Sequence, residues 1–182
     1  TVSPAAEAAV ARPVGSLQKP WVVAAWAEAH PDAAPPLLDC TTASGCWRPA
    51  GHGRVDLPRA FAQSCNAYFL ALARATPEEA RARALESAGF ELKRPLSPEA
   101  SIGLGPLGSL PRIAPAALLR AYRDLLANPW PSRDELRRAL RRRVLGHGLE
   151  LRGLLPLVLA GGLRPGPRLL GTPVLPDGDG RP

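Results

Sequence analysis

At 182 residues the chain is long enough for one domain with a buried core. Ala, Leu, Pro, Gly and Arg dominate and Met is absent, so composition says little about function, and a processed chain or a fragment is expected. The formal charge of +7 favours acidic partners. However, the densest basic run, "RDELRRALRRR", carries its own acids and no interleaved aromatics. It reads as a solvated helix face, which disfavours nucleic-acid binding.

The elements then follow in chain order. Ser16 to about Glu28 is expected to be a helix with Val22, Val23 and Trp26 as its buried stripe. The stretch "HPDAAPPLLDCTTASGCWRPAGHG" is full of breakers and reads as a long loop. Asp56 to about Arg74 reads as one continuous helix, with Asp56 as N-cap and Pro58 just inside it. A third helix is expected in "TPEEARARALESAG": Thr76 caps it, Pro77 takes the first position, Glu78 and Glu79 sit at its positive end, and Gly89 stops it. After the Gly-rich connection "SIGLGPLGSLPRI" come a fourth helix in "APAALLRAYRDLLAN" and a fifth in "SRDELRRALRRRVLG", from Ser132 to Gly146. A sixth is expected in "GLELRGLLPLVLAGG", and residues 164–182 form a Pro/Gly-rich tail with the composition of a disordered segment. No apolar run is long enough to span a bilayer, and neither an alternating strand pattern nor an internal repeat is evident.

Two groups of residues carry chemistry. Cys40 and Cys46 lie close together in the loop-like stretch and could form a small disulfide. The spacing of Cys40, Cys46 and Cys65 suggests no metal site, and His52, between two glycines, reads as a turn-stabilising residue. The second group is Ser16 and Lys19. This chain has only two lysines, and arginine carries nearly all its other positive charge. Positions i and i+3 share a helix face, so Ser16 and Lys19 can meet. A serine hydroxyl becomes a strong nucleophile when a neighbouring base takes its proton; lysine can serve as that base, whereas arginine stays protonated. The plainer alternative is a lysine exposing its ammonium at the start of a helix.

The run Pro13-Val14-Gly15-Ser16-Leu17-Gln18-Lys19-Pro20 resembles the first active-site motif, P-P-G-S-x-x-K-P, of the penicillin-binding protein transpeptidases. Further similar stretches follow in order. "CWRPAGHGRVDLPRAFAQSCNAYFLALA" is similar to the segment in which a Gly-His-Gly turn leads into an S-x-N helix, with S-x-N here being Ser64-Cys65-Asn66. "SIGLGPLGSLPRIAPAALLRAYRDLLAN" is similar to the later S-I-G-Q-G element, and "AGGLRPGPRLL" to the segment after it. The combination most resembles class B enzymes of the cell-elongation type.

The resemblance implies a mainly α chain: the helical part of the penicillin-binding/serine β-lactamase-like α+β transpeptidase fold, with most of the sheet missing. It implies that Ser16 is the acylated nucleophile, Lys19 the activating base, Ser64 the proton relay to the leaving D-Ala, and Asn66 the group that binds the substrate amide. On a helix, Cys65 would then point away from the site, while the plainer reading makes Ser64 and Asn66 solvent-facing residues in mid-helix. The implied partners are the D-Ala-D-Ala end of a peptidoglycan stem peptide, β-lactams and the cell-wall synthesis machinery, with no cofactor or metal. The implied location is extracytoplasmic, in the periplasm, with the parent protein anchored in the inner membrane.

The chain has no K-T-G, K-S-G or R-T-G, the family's third motif; Gly171-Thr172 lacks the preceding lysine. Residues 1–182 therefore read as a partial transpeptidase domain, from just before S-x-x-K to just short of K-T-G. Two alternatives stand beside it: a catalytically inactive short homologue acting as a peptide-binding or interaction module, and a β-lactamase or β-lactam-sensor relative.

Overall fold

The computed structural model describes residues 4–130, 132–134 and 136–138. The sixth helix, the tail 164–182 and most of the fifth helix expected from the sequence lie outside the described residues. The chain begins with α1 (Pro4–Ala9) and β1 (Arg12–Pro13). A 3-10 turn (Gly15–Gln18) then leads into α2 (Lys19–Ala29). The helix expected from Ser16 thus opens as a tighter turn.

The stretch expected to be a long loop holds β2 (Leu38–Cys40) and leads into β3 (Gly53–Val55), which pair antiparallel with Leu38 opposite Val55 and Cys40 opposite Gly53. Three-residue strands are too short for alternation to show in a sequence. Next come α3 (Leu57–Gln63), α4 (Asn66–Ala75), α5 (Glu78–Ser87) and α6 (Pro98–Ser101). They are followed by β4 (Arg112–Ile113), which pairs antiparallel with β1, and α7 (Pro115–Ala127). Among the described residues the mainly α expectation stands, with two small two-stranded sheets added.

Helix α2 is the spine of the molecule, packing against both α4 and α5. Val22, Val23 and Trp26 are buried, as expected, in a core shared with Val55, Phe61, Tyr68, Phe69 and Leu72. Trp21 faces a second core with Leu85, Phe90, Leu96 and Ile113, and meets Phe90 and Tyr122 edge-on. A helix apolar on nearly every side belongs in the interior, so Lys19 at its first position is drawn inside as well, only 2% exposed.

The polar groups that enter the core are bonded there. Tyr68 donates to the Pro36 carbonyl at 2.8 Å, and Arg81 donates to the carbonyls of Ala73, Thr76 and Leu96. Arg81 thereby satisfies carbonyls at the C-terminus of α4, where a cation also complements the helix dipole.

Candidate active site

Ser16 lies in the exposed 3-10 turn ahead of α2, and its carbonyl accepts the Lys19 N–H. Two long-range bonds hold this turn: Gln18 Nε2 donates to the Ala100 carbonyl (2.6 Å), and Tyr122 Oη donates to the Leu17 carbonyl (2.6 Å). A third support is steric. Gly103, at φ +85°, lies so close to Gly15 that any Cβ would overlap the Gly15 backbone. The S-I-G stretch thus backs the turn that carries Ser16.

Lys19 Nζ is the hub of the site. It donates to Ser64 Oγ at 2.9 Å, the Ser64 carbonyl at 3.0 Å and Asn66 Oδ1 at 2.7 Å. It also sits 5.1 Å from the centre of the Phe69 ring, within cation–π range. An ammonium has three N–H donors, and three acceptors meet it here, so its burial leaves no donor stranded. The reading of Lys19 as an exposed helix-start lysine is therefore corrected: α2 is buried from Lys19 through Val23, and the lysine is taken in with it. Side-chain hydrogen bonds join Lys19, Ser64 and Asn66, and Ser16 joins them through its backbone.

The continuous helix expected from Asp56 to Arg74 is broken at the site. α3 ends at Gln63, Ser64 takes a left-handed conformation (φ 51°, ψ 43°), Cys65 is extended, and α4 starts at Asn66. The Cys65 N–H returns to the Ala60 carbonyl at 3.0 Å, as at a left-handed helix C-cap. Left-handed backbone costs a non-glycine residue about 1–2 kcal/mol. Here the Ser64 carbonyl receives both Lys19 Nζ and, at 3.2 Å, the Trp47 indole N–H. Neither Ser64 nor Asn66 is a solvent-facing mid-helix residue.

On the other side of Cys65 lies a second group of side chains. The ligand atoms of Cys40, Cys46, His52 and Cys65 all fall within 4.8 Å of one another. His52 Nδ1 is 3.6 Å from Cys40 Sγ and 3.5 Å from Cys46 Sγ, and Cys46 Sγ is 4.0 Å from Cys65 Sγ. All three cysteines are free thiols. Burial, backed by the neighbouring thiols, pushes the Cys65 thiol up to about 12. Burial also acts on Cys46, but N–H groups of Ala67, Arg48 and Asn66 outweigh it and bring that thiol down to about 7. Burial, then the nearby cations Arg48, Arg59 and Lys19, lower His52.

Among the described residues, these four are the group of donors placed to meet a metal. The sequence reading, which saw no such grouping, missed them because their spacing matches no familiar short motif. The β2–β3 pairing and the break at Ser64 bring them together. The available signal was three donors at six-residue steps (Cys40, Cys46 and His52) in a Gly-rich stretch. Cys65, expected to be a helix residue merely turned away from Lys19, is fully buried and turned into this group.

No family model and no curated protein matches the chain. Among solved structures it is similar to PBP2 of Pseudomonas aeruginosa in complex with WCK 5153, with a TM-score of 0.58 and 17% identity over 75% of this chain and 43% of that one. It is also similar to a chain from work on a peptidoglycan synthase complex that coordinates polymerization and crosslinking, with a TM-score of 0.56 and 16% identity over 75% of this chain and 33% of that one. This chain thus spans less than half the length of either. The likeness shows a penicillin-binding-protein-like fold.

Proposed function

We propose that this chain carries the acylation centre of a serine D,D-transpeptidase of peptidoglycan synthesis. The observation that carries the reading is the buried Lys19 Nζ held between Ser64 Oγ and Asn66 Oδ1, one turn after the exposed Ser16. The similar fold and the order of the S-x-x-K and S-x-N motifs support it.

In this reading Ser16 Oγ bonds to the penultimate D-Ala carbonyl carbon of a stem peptide, and the C–N bond to the terminal D-Ala breaks. With Lys19 in its neutral amine form, the Ser16 proton passes to Nζ; Ser64, at hydrogen-bond distance from Nζ, then hands its proton to the leaving amine and is reprotonated by Lys19. Asn66 offers its amide to the peptide. An amine of a second stem peptide then takes the acyl group, restoring Ser16 and forming the cross-link. A β-lactam enters the same path and stops at the acyl-enzyme.

The partners and extracytoplasmic location implied by the resemblance belong to this reading, as does its placement in the elongation-type class B branch. A lost oxyanion donor lowers acyl-transfer rates by about 100- to 1,000-fold, so slow acylation is expected of these 182 residues, which contain no K-T-G.

Intact-protein mass after incubation with a labelled penicillin tests the reading. One adduct is expected on the wild type and none on Ser16→Ala. A folded wild-type chain that takes no adduct would overturn the assignment of a working nucleophile and favour a binding role.

A further inference from the structure

We propose that Tyr122 is a positioning residue for the nucleophile: its hydroxyl, bonded to the Leu17 carbonyl, sets the tilt of the turn from which Ser16 reacts. The role rests on the reading of Ser16 as the acylated serine. The need for it begins in the sequence. Ser16 and Leu17 lie in the 3-10 turn Gly15–Gln18, where the Leu17 N–H reaches the Val14 carbonyl only at 3.3 Å. In such a turn the Leu17 carbonyl would be bonded by the N–H of residue 20. That residue is Pro20, which has no N–H. The ladder of α2 does not reach it either, because Gln18 is the N-cap and an N-cap carbonyl accepts the first bond of its helix. The carbonyl next after the reacting serine therefore depends on a donor from elsewhere in the chain, and Tyr122 Oη supplies it at 2.6 Å.

Tyr122 is itself well placed to do this. Its ring meets Trp21 edge-on at 4.9 Å, and Trp21 is buried and meets Phe90 edge-on at 5.4 Å. Ring and hydroxyl thus grip one short segment, Leu17 to Trp21, with Lys19 inside it. Tyr122 is carried by α7, which starts directly after β4. The β1–β4 pairing sets Arg12 opposite Ile113 and Pro13 opposite Arg112. The serine turn is therefore fastened to the β4–α7 unit on both sides, by the strand pair at residues 12 and 13 and by the hydroxyl at residue 17.

The second fastening decides where Ser16 points. Lys19 Nζ is fixed independently by Ser64 and Asn66. Gln18 ties the end of the turn to Ala100, and Gly103 backs its start at Gly15. What the Tyr122 hydroxyl adds is the orientation of the two residues between, Ser16 and Leu17. The Leu17 side chain is half exposed and gives them little anchorage of its own. Losing the hydroxyl should leave the turn in place but tilt it, shifting Ser16 against a stationary Lys19. Such a change acts on bond formation rather than on the binding of the acyl donor.

The test is Tyr122→Phe, which removes Oη alone and keeps the ring against Trp21. The chain has two tyrosines, and Tyr68→Phe is the matched control: it deletes the same kind of bond, to the Pro36 carbonyl at 2.8 Å instead of the serine turn. Acylation rates across a range of penicillin concentrations separate binding from bond formation. A misplacement of about 1 Å can cost about 100-fold in rate. Bond formation in Tyr122→Phe should accordingly slow at least about tenfold, with penicillin binding within about twofold of wild type. Tyr68→Phe should lose stability in urea and keep the wild-type rate. Amide hydrogen exchange at Leu17 and Lys19 should quicken about tenfold in Tyr122→Phe, the effect of one lost hydrogen bond, and stay unchanged at residues 64–66. Unchanged exchange at Leu17 and Lys19 overturns the hold on the turn. Faster exchange with an unchanged rate, a loss confined to penicillin binding, or an equal slowing in Tyr68→Phe overturns the positioning role. A folded wild type that takes no adduct overturns the reading of Ser16 itself and this role with it, and the failure then lies in the wild type rather than the variant.

Discussion

Gly103→Ala should separate backbone strain from steric support of the Ser16 turn. Gly103 sits at φ +85°, and a Cβ there would overlap the Gly15 backbone, which cannot swing aside as a side chain tip would. Positive φ costs a non-glycine residue about 1–2 kcal/mol, and forcing backbone apart in a packed interior adds about 1–3 kcal/mol. The expected loss is therefore about 2–5 kcal/mol. Gly15→Ala is the internal control: Gly15 is also at positive φ (+56°), but its Cβ would meet nothing within 4 Å. That variant should lose only the strain of about 1–2 kcal/mol. Urea unfolding at fixed pH measures both. The overlap also falls one residue before Ser16, and a misplacement of about 1 Å at a reacting group can cost about 100-fold in rate. Penicillin acylation by Gly103→Ala should fall accordingly under conditions where both variants are folded. Equal stability losses for the two variants would refute the close approach of S-I-G to the serine turn.

Three further outcomes are expected. Lys19→Met keeps the unbranched apolar stem but removes the terminal nitrogen and strands Ser64 Oγ and Asn66 Oδ1, so the penicillin adduct should vanish by intact mass while the far-ultraviolet circular dichroism persists. Asp56→Ala removes the acceptor for the Arg59 N–H (2.8 Å) at the N-cap of α3 and should cost about 1 kcal/mol in urea unfolding. The Glu99 carboxyl is held below its ordinary value of 4.5 by its own backbone N–H and then by Arg74. The unfolded chain therefore takes up that proton first: Glu99 adds stability above about pH 4.5, and its share is lost as the pH falls through the lowered value. Because Glu99 and Arg74 are well exposed, Glu99→Gln should cost no more than about 1 kcal/mol at pH 7 and flatten the acid slope, as read from unfolding midpoints across that range.

What the sequence revealed tracks how local each determinant is. α5 was legible because its signals are contiguous: Glu78 and Glu79 fall in the first turn, and Gly89 follows the end at φ +90°. The apolar stripe of α2 was legible for the same reason. The strands were not, because β2 and β3 are three residues each and exist through their pairing with one another. The break between α3 and α4 was hidden by helix-forming residues on both sides; what favours it is Lys19 Nζ and the Trp47 indole, 45 and 17 residues away in the chain. The cysteine–histidine group was hidden by the same long-range assembly. The site residues Ser16, Lys19, Ser64 and Asn66 were legible only as motifs, and the meeting of three of them around one nitrogen needed the fold.

That break also explains how an S-x-N motif can serve one lysine while its middle residue serves another group. On a helix, residues i and i+2 point about 200° apart, so an unbroken helix through Gln63–Ala67 could not bring both Ser64 and Asn66 to Lys19 Nζ. Extended backbone alternates sides with a period of two, and the Ser64–Cys65 break supplies such a step: Ser64 and Asn66 turn to the lysine, and Cys65 to Cys46. The left-handed Ser64 is where the chain leaves the helix, and this conformation has a measurable signature. Ser64→Gly and Ser64→Ala both delete the hydroxyl bonded to Lys19, but only glycine adopts φ 51° without strain. Ser64→Gly should therefore be more stable than Ser64→Ala by about 1 kcal/mol in urea unfolding, the reverse of their order inside a helix, where glycine is about 1 kcal/mol worse than alanine. Alanine proving the more stable of the two would mean that the helix runs through Ser64, and the three-way meeting at Lys19 would fall with it.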